Sequence, residues 1–281
     1  MTTRSSWLSF AWTLLAGTAC LGLAIAAPAP SAQFAQQQSG VTEVDVELVL
    51  AVDISFSMDP DEQELQREGY AHALTSNEFL RALKDGTHGK IAITYLEWAN
   101  INERRVIVPW RLIDGPEAAD GFVAEIMRAP YRRASRTSVS GALEFAAQQF
   151  ENSGYKGIRR VIDVSGDGAN NNGPPVTIVR DEVLAKGITI NGLPIMLKDP
   201  VGAGMDIEGL DVYYEDCVIG GPGAFVIPIK EREKFKEATR TKLVQEVATL
   251  SPDTRAVPAS SAAPRISCLL GEQIWQQRWG N

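Results

Sequence analysis

Histidine and cysteine are scarce in this chain: His72 and His88, then Cys20, Cys217 and Cys268, among 281 residues. A zinc site built on several histidines is excluded, and a Ser-His-Asp hydrolase has only those two residues from which to draw its base. Three cysteines cannot staple a small scaffold, so a hydrophobic core has to carry the fold. Positive charge is also short. Lysine and arginine number 27 against 35 aspartates and glutamates, a net charge of −8, which excludes a nucleic-acid binder working through a basic surface. With 44% hydrophobic and 22% charged residues, the composition is globular rather than disordered or fibrous. Chemistry here has to rest on oxygen ligands and carboxylates.

Charge is almost absent from the first forty residues, where Arg4 stands alone. An uncharged stretch follows, Ser5 to Ala27, and then the small-residue series Ala24-Ile25-Ala26 and Pro30-Ser31-Ala32. A positive start, an apolar middle and small residues in that order read as a secretory signal peptide over residues 1–32. Its rival is an uncleaved N-terminal anchor, since about 20 apolar residues can just cross a bilayer. Cleavage is the preferred reading; it leaves no stable membrane span and places the protein in the periplasm or outside the cell. Residues 33–43, with Gln36-Gln37-Gln38, read as a polar linker. Export also permits a disulfide. Cys217 and Cys268 remain after cleavage, and a bridge between them would contribute about 4 kcal/mol by constraining the unfolded chain. Two buried free thiols are the alternative.

Runs that suit strands buried on both faces recur through the body: Val44 to Val52, Lys90 to Trp98, the short Arg105 to Val108, Arg160 to Ser165, Ile188 to Ile195, and Gly223 to Ile227 as a sixth. Helical patterns fall between them. Asp59 before Pro60, with Asp61 and Glu62 behind, is an N-cap, a first-turn proline and an acidic first turn, and predicts a helix to about Leu74. Further helices are expected over Ser138–Phe150, Pro175–Lys186 and Glu231–Leu250, the last with Phe235, Ala238, Leu243, Val247 and Leu250 inward. Strand and helix in alternation predict an α/β domain over 44–250: an open, doubly wound, mostly parallel sheet flanked by helices, Rossmann-like in its winding. Beyond it, 251–281 begins as a Pro/Ala/Ser linker. Leu269, Leu270, Ile274, Trp275 and Trp279 then make a segment too apolar to hang free, expected to dock on the domain or to bind a partner.

The most informative residues follow the first strand: Asp53-Ile54-Ser55-Phe56-Ser57. In an open parallel sheet, ligands bind beyond the carboxyl ends of the strands where strand order reverses. One carboxylate and two hydroxyls at alternate positions there can turn three oxygens toward one point, which is what a hard divalent cation requires. Thr137 enters the Ser138 helix, and Asp167 closes the fourth strand between Gly166 and Gly168, so three loops bring hard donors to one sheet edge. Taken singly, Thr137 or Ser138 is a plain helix cap and Asp167 a turn former.

This pattern resembles the metal-ion-dependent adhesion site of von Willebrand factor type A (VWA) domains. Val161 to Gly168 and Val218 to Phe225 are similar to a bacterial, exported subgroup of that superfamily with no assigned function. The resemblance implies a VWA-type fold and a metal held by Asp53, Ser55, Ser57, Thr137 and Asp167. It implies Mg²⁺, with Mn²⁺ or Ca²⁺ as substitutes, and one open position for an Asp or Glu of a protein partner. The expected function is an exported metal-dependent binding module, not an enzyme. The alternatives are a metal-assisted phosphohydrolase with Asp53 as nucleophile or Ser55 as acceptor, and a structural envelope protein with a vestigial site.

Asp163, acidic within an apolar strand, is expected to accept from Ser55 or from a backbone turn, or to pair with an arginine among Arg133, Arg159 and Arg160. Asn170-Asn171-Asn172 either rims the site or is plain loop. Arg132, Arg133 and Arg136 form solvated surface or steer an acidic partner. His72 reads as a surface or packed residue, and Trp98 and Trp110 as packing. Gly202-Ala203-Gly204 and the glycines of 220–223 lack the spacing of a phosphate loop. The oligomeric state is not encoded in any of these patterns.

Overall fold

The computed structural model describes residues 41–198, 207–248, 256–257 and 263–280. The expected signal peptide, the lead-in before Val41, Gly202-Ala203-Gly204, Leu250 and most of the proline-rich linker lie outside the described residues.

β1 (Thr42–Asp53) is buried from Val44 to its end, and it begins inside the stretch expected as linker. Its side chains alternate between two cores. Val46, Leu48, Leu50 and Val52 face one, while Val49 and Ala51 face the other, as the period-two geometry of a strand requires. β2 (Ile91–Trp98) and β4 (Tyr155–Gly166) flank β1 in parallel, β5 (Thr189–Pro194) lies parallel beyond β4, and β3 (Arg104–Ile113) runs antiparallel outside β2. The order is β3-β2-β1-β4-β5. It reverses between β1 and β4, so the crevice of the fold opens over the ends of those two strands.

On one face α1 (Pro60–Leu74), α2 (Asn77–Lys84), α3 (Pro116–Arg128) and α7 (Phe235–Val247) supply Tyr70, Phe79, Phe122 and Phe235 to the core. On the other, α4 (Val139–Gln149), α5 (Val176–Ala185) and the short α6 (Leu210–Tyr213) supply Leu143, Val179 and Tyr213. α8 (Leu270–Trp279) packs Leu270 and Ile274 against this second core. The result is the mostly parallel α/β sheet with helices on both sides that strand–helix alternation predicts. α1 starts where its signals place it: Asp59 accepts from the Glu62 backbone N–H and Glu62 from that of Asp59, closing a capping box.

Several expectations need correction. The third strand is ten residues long and antiparallel, carrying exposed charge along a sheet edge. α2 and α3 have no counterpart among the helices expected. α7 is shorter than the 231–250 pattern, because a 3-10 turn at Arg232–Lys234 precedes it and Ala248 leaves helical geometry. The expected sixth strand forms no regular ladder. Residues 220–229 follow the β5 edge through separate bridges, Ile190 with Gly220, Gly192 with Val226 and Ile195 with Ile229. Pro222 and Pro228 remove donors, and Gly221 and Gly223 take φ of +98° and +69°, so continuous pairing is impossible.

Asp163 pairs with none of its expected partners. It is wholly buried, with Lys242 Nζ of α7 at 2.8 Å. Lys242 also meets Glu246 at 2.6 Å, and Glu246 accepts from Asn191 Nδ2 of β5 at 2.7 Å. Burial, only partly offset by Lys242, pushes the Asp163 carboxyl up to about 6. Cys217 and Cys268 form a disulfide with Cα atoms 5.4 Å apart.

Candidate metal centre

Asp53 is the last residue of β1 and is fully buried. The backbone N–H of Ser55 donates to its Oδ1 at 2.7 Å, turning the chain sharply off the strand. That turn brings Ser55 Oγ within 2.8 Å of Ser57 Oγ, and Ser57 Oγ donates to Asp167 Oδ1 at 2.6 Å. Gln66 of α1 fastens the two strand ends beneath. Its Nε2 donates to the Asp53 carbonyl at 3.1 Å, and its Oε1 accepts from Ser165 Oγ at 2.7 Å.

Thr137 arrives on a third loop laced to the first: Phe56 N–H donates to the Ala134 carbonyl, and Ala134 N–H to that of Ile54. The asparagine run fixes this loop to the Asp167 turn. Asn171 N–H donates to the Thr137 carbonyl at 2.8 Å while its Oδ1 accepts from Thr137 N–H at 3.0 Å. Asn170 Oδ1 accepts from both the backbone and the hydroxyl of Ser140, and Asn172 Oδ1 from Ile101 N–H. Thr137 Oγ1 then lies 3.6 Å from where a Cβ at Gly168 would stand. The structure thus brings Asp53, Ser55, Ser57, Thr137 and Asp167 to one place. The asparagines clasp the loops rather than rim the site.

Two carboxylates share this pocket, and burial, then the charge of Asp167, push the Asp53 carboxyl well above its ordinary range. Asp53 Oδ2 is buried with no hydrogen-bond partner. A Cβ at Gly166 would stand 2.8 Å from that oxygen and 3.0 Å from the Tyr214 hydroxyl; glycine keeps this space open. Three neutral hydroxyls and two carboxylates, one of them with an orphaned buried oxygen, fit a hard divalent cation. Among the described residues no group of three or more His, Cys, Asp or Glu side chains could hold a metal, so a cation here would depend on the hydroxyls.

Sequence reasoning missed Lys198, just past β5. Its ammonium bonds Glu62, the Ser57 carbonyl and, at 3.3 Å, Asp167 Oδ2. Burial alone would depress Lys198; its bond to Glu62 and the charge of Asp167 outweigh burial and hold it above its usual value. No local pattern marks a lysine after a strand as a site residue. A cavity of about 240 Å³ opens beside Asp167 and Lys198, walled by Ile195, Leu197, Ile207 and Leu210.

On the rim, Phe56 is 59% exposed, with the Arg133 guanidinium over its ring and bonded to its carbonyl. His72 is exposed on α1, and the His88 N–H binds Asp45 near the other end of β1. Trp98 is core, and Trp110 packs on Phe150 and Tyr155.

Residues 43–251 match the family described as "Protein of unknown function (DUF1194)". The chain belongs to that family. No curated protein matches this DUF1194 chain. Among solved structures it is similar to a pilus adhesin, SpaC from Lactobacillus rhamnosus GG, at 11% identity and TM-score 0.54, over 73% of this chain and 31% of that one. It is also similar to proximal thread matrix protein 1 from the mussel byssus, at 12% identity and TM-score 0.53, over 73% and 49%. A third is a von Willebrand factor type A protein from Catenulispora acidiphila, at 16% identity and TM-score 0.50, over 73% and 43%. The DUF1194 chain spans less than half the length of each of these. At such identities the likeness concerns the fold: this family member has the VWA architecture.

Proposed function

We propose that this protein is an exported, Mg²⁺-dependent binding module that captures an acidic side chain of a partner protein. The observation that carries the reading is Asp53 Oδ2, a buried carboxylate oxygen with no partner, beside a second carboxylate and a cluster of hydroxyls. An uncompensated buried charge is costly, and a cation is the group whose arrival would offset it. Ser55, Ser57, Thr137, Asp53 and Asp167 would hold the metal. When bound, the cation supplies a Lewis-acidic position for a partner's carboxylate, stronger for having only two anionic ligands.

The chain's own residues do the rest. Lys198 neutralises Glu62 and part of Asp167, so the pocket is less negative toward an incoming acid. Arg132, Arg133 and Phe56 offer a basic and aromatic surface around it, suited to an acidic partner. The occurrence of the fold in a pilus adhesin and a thread matrix protein supports a binding role. Catalysis is disfavoured. Asp53 exposes no surface for nucleophilic attack, and neither histidine stands at this edge of the sheet. Export rests on the composition of residues 1–32 and accords with the Cys217–Cys268 disulfide.

The test is calorimetric titration and thermal melting with Mg²⁺ or EDTA. The wild type is expected to bind the cation and melt higher with it. Asp53→Asn and Ser55→Ala should bind none. Asp53→Asn should melt no lower than wild type in EDTA, because burial already disfavours the Asp53 carboxylate there. Equal cation affinity in wild type and both variants refutes the site.

A further inference from the structure

The C-terminal segment reaches the metal loops from beyond the family's matched residues, which end at residue 251. Two fasteners hold it. Cys268 is bridged to Cys217, and Arg265 bonds Asp216 through its backbone N–H at 2.6 Å and its guanidinium at 2.8 Å. From this anchorage α8 touches both loops that deliver the later site residues. Glu272 Oε1 accepts from Asn170 Nδ2 at 2.7 Å, and Asn170 in turn binds the first turn of α4 through Ser140. Gly271 lies so close to the same loop that a Cβ there would stand 2.1 Å from the Asn170 carbonyl oxygen. One turn on, Trp275 presents its ring face to the Arg136 guanidinium, 3.4 Å from the ring centroid.

Arg136 immediately precedes Thr137, and its φ is +73°. A non-glycine residue adopts that left-handed conformation only where its surroundings hold it. Trp275 supplies a contact on its side chain from outside the loop. The Thr137 loop and the Asp167 turn are thus clasped to each other by Asn170 and Asn171, and the clasp is backed by Glu272 and Trp275.

We propose that α8 is a positioning element of the metal centre, with Glu272 and Trp275 fixing the Thr137 and Asp167 loops at the spacing a cation needs. This rests on the metal-centre reading above. Side chains that orient metal ligands from outside the coordination sphere typically matter by 10- to 100-fold in affinity. Glu272→Ala and Trp275→Ala in the full chain are therefore expected to bind Mg²⁺ or Mn²⁺ about tenfold more weakly, while unfolding in urea close to wild type. Glu272→Gln keeps an acceptor for Asn170 and should restore most of the affinity; a mere loss of negative charge would not be rescued this way. Cys268→Ser should weaken binding in the same direction.

A second readout is independent of metal. Amide exchange in EDTA, followed by mass spectrometry, should be faster in both alanine variants for peptides covering 137–140 and 169–172, and unchanged for 53–57. Wild-type exchange in those two loops, or wild-type affinity in the alanine variants, overturns the proposal. A wild type that binds no cation defeats the metal reading, and the exchange result still decides whether α8 fixes the loops.

Discussion

Replacing Lys242 with methionine removes the cation from a cluster that has no access to water. Lys242, Asp163 and Glu246 are all fully buried, with Lys242 Nζ 2.8 Å from one carboxylate and 2.6 Å from the other. Asn191 binds Glu246, the ring of Phe225 lies 5.1 Å from Nζ, and Arg159 bonds the Glu246 carbonyl. Burial, then the nearby Asp163 charge, hold the Tyr70 hydroxyl well above its usual pKa, so it remains neutral.

Removing one partner of a buried ion pair typically costs 3–5 kcal/mol, because the other charge is stranded. Lys242→Met strands two, so a loss of about 4 kcal/mol at pH 7.5 is expected, a fall of roughly 10 °C in Tm for a domain of this size. The deficit should depend on pH. In the wild type Asp163 is raised from 3.8 to about 6. Its contribution to stability is therefore fully present below pH 3.8 and lost as the pH rises through 6, about 3 kcal/mol in all. Lys242 is raised, so its contribution persists until the pH passes its unfolded value of 10.5. Without Lys242 the Asp163 carboxyl protonates more readily still, and the variant should recover most of its deficit near pH 5. Urea denaturation of both proteins at pH 7.5 and 5.0 measures this. A deficit equal at the two pH values, or below about 1 kcal/mol at pH 7.5, refutes the account of the cluster.

Two further outcomes follow from the geometry. Gly166→Ala places a methyl 2.8 Å from Asp53 Oδ2 and 3.0 Å from the Tyr214 hydroxyl; overpacking of this kind costs about 1–3 kcal/mol. The Mg²⁺-induced rise in Tm should vanish with it, and an alanine variant with wild-type cation response would contradict the space assigned to Gly166. Reducing the Cys217–Cys268 bridge, which joins residues 51 apart, should lower unfolding stability by about 4 kcal/mol. Equal urea midpoints with and without reductant would show that the bridge constrains little.

What the sequence determined by itself is what neighbouring residues decide among themselves. Alternation along Val44 to Val52 made a strand with two inward faces, and Asp59-Pro60-Asp61-Glu62 started α1 at its observed position, because strand faces and caps depend on residues a few places apart. The same locality made Asp53, Ser55 and Ser57 legible as a group. The position of Asp167 beside them was legible as well, since strand ends in a parallel sheet share an edge. Partners brought from elsewhere in the chain were not legible. Lys242 meets Asp163 only because α7 lies against β4, Lys198 meets Asp167 only because β5 lies next to β4, and Glu272 meets Asn170 only because the disulfide, the Arg265–Asp216 pair and core packing hold α8 against the domain. A charged residue within an apolar strand signals that it requires a partner, and only the packing of distant elements decides which one arrives.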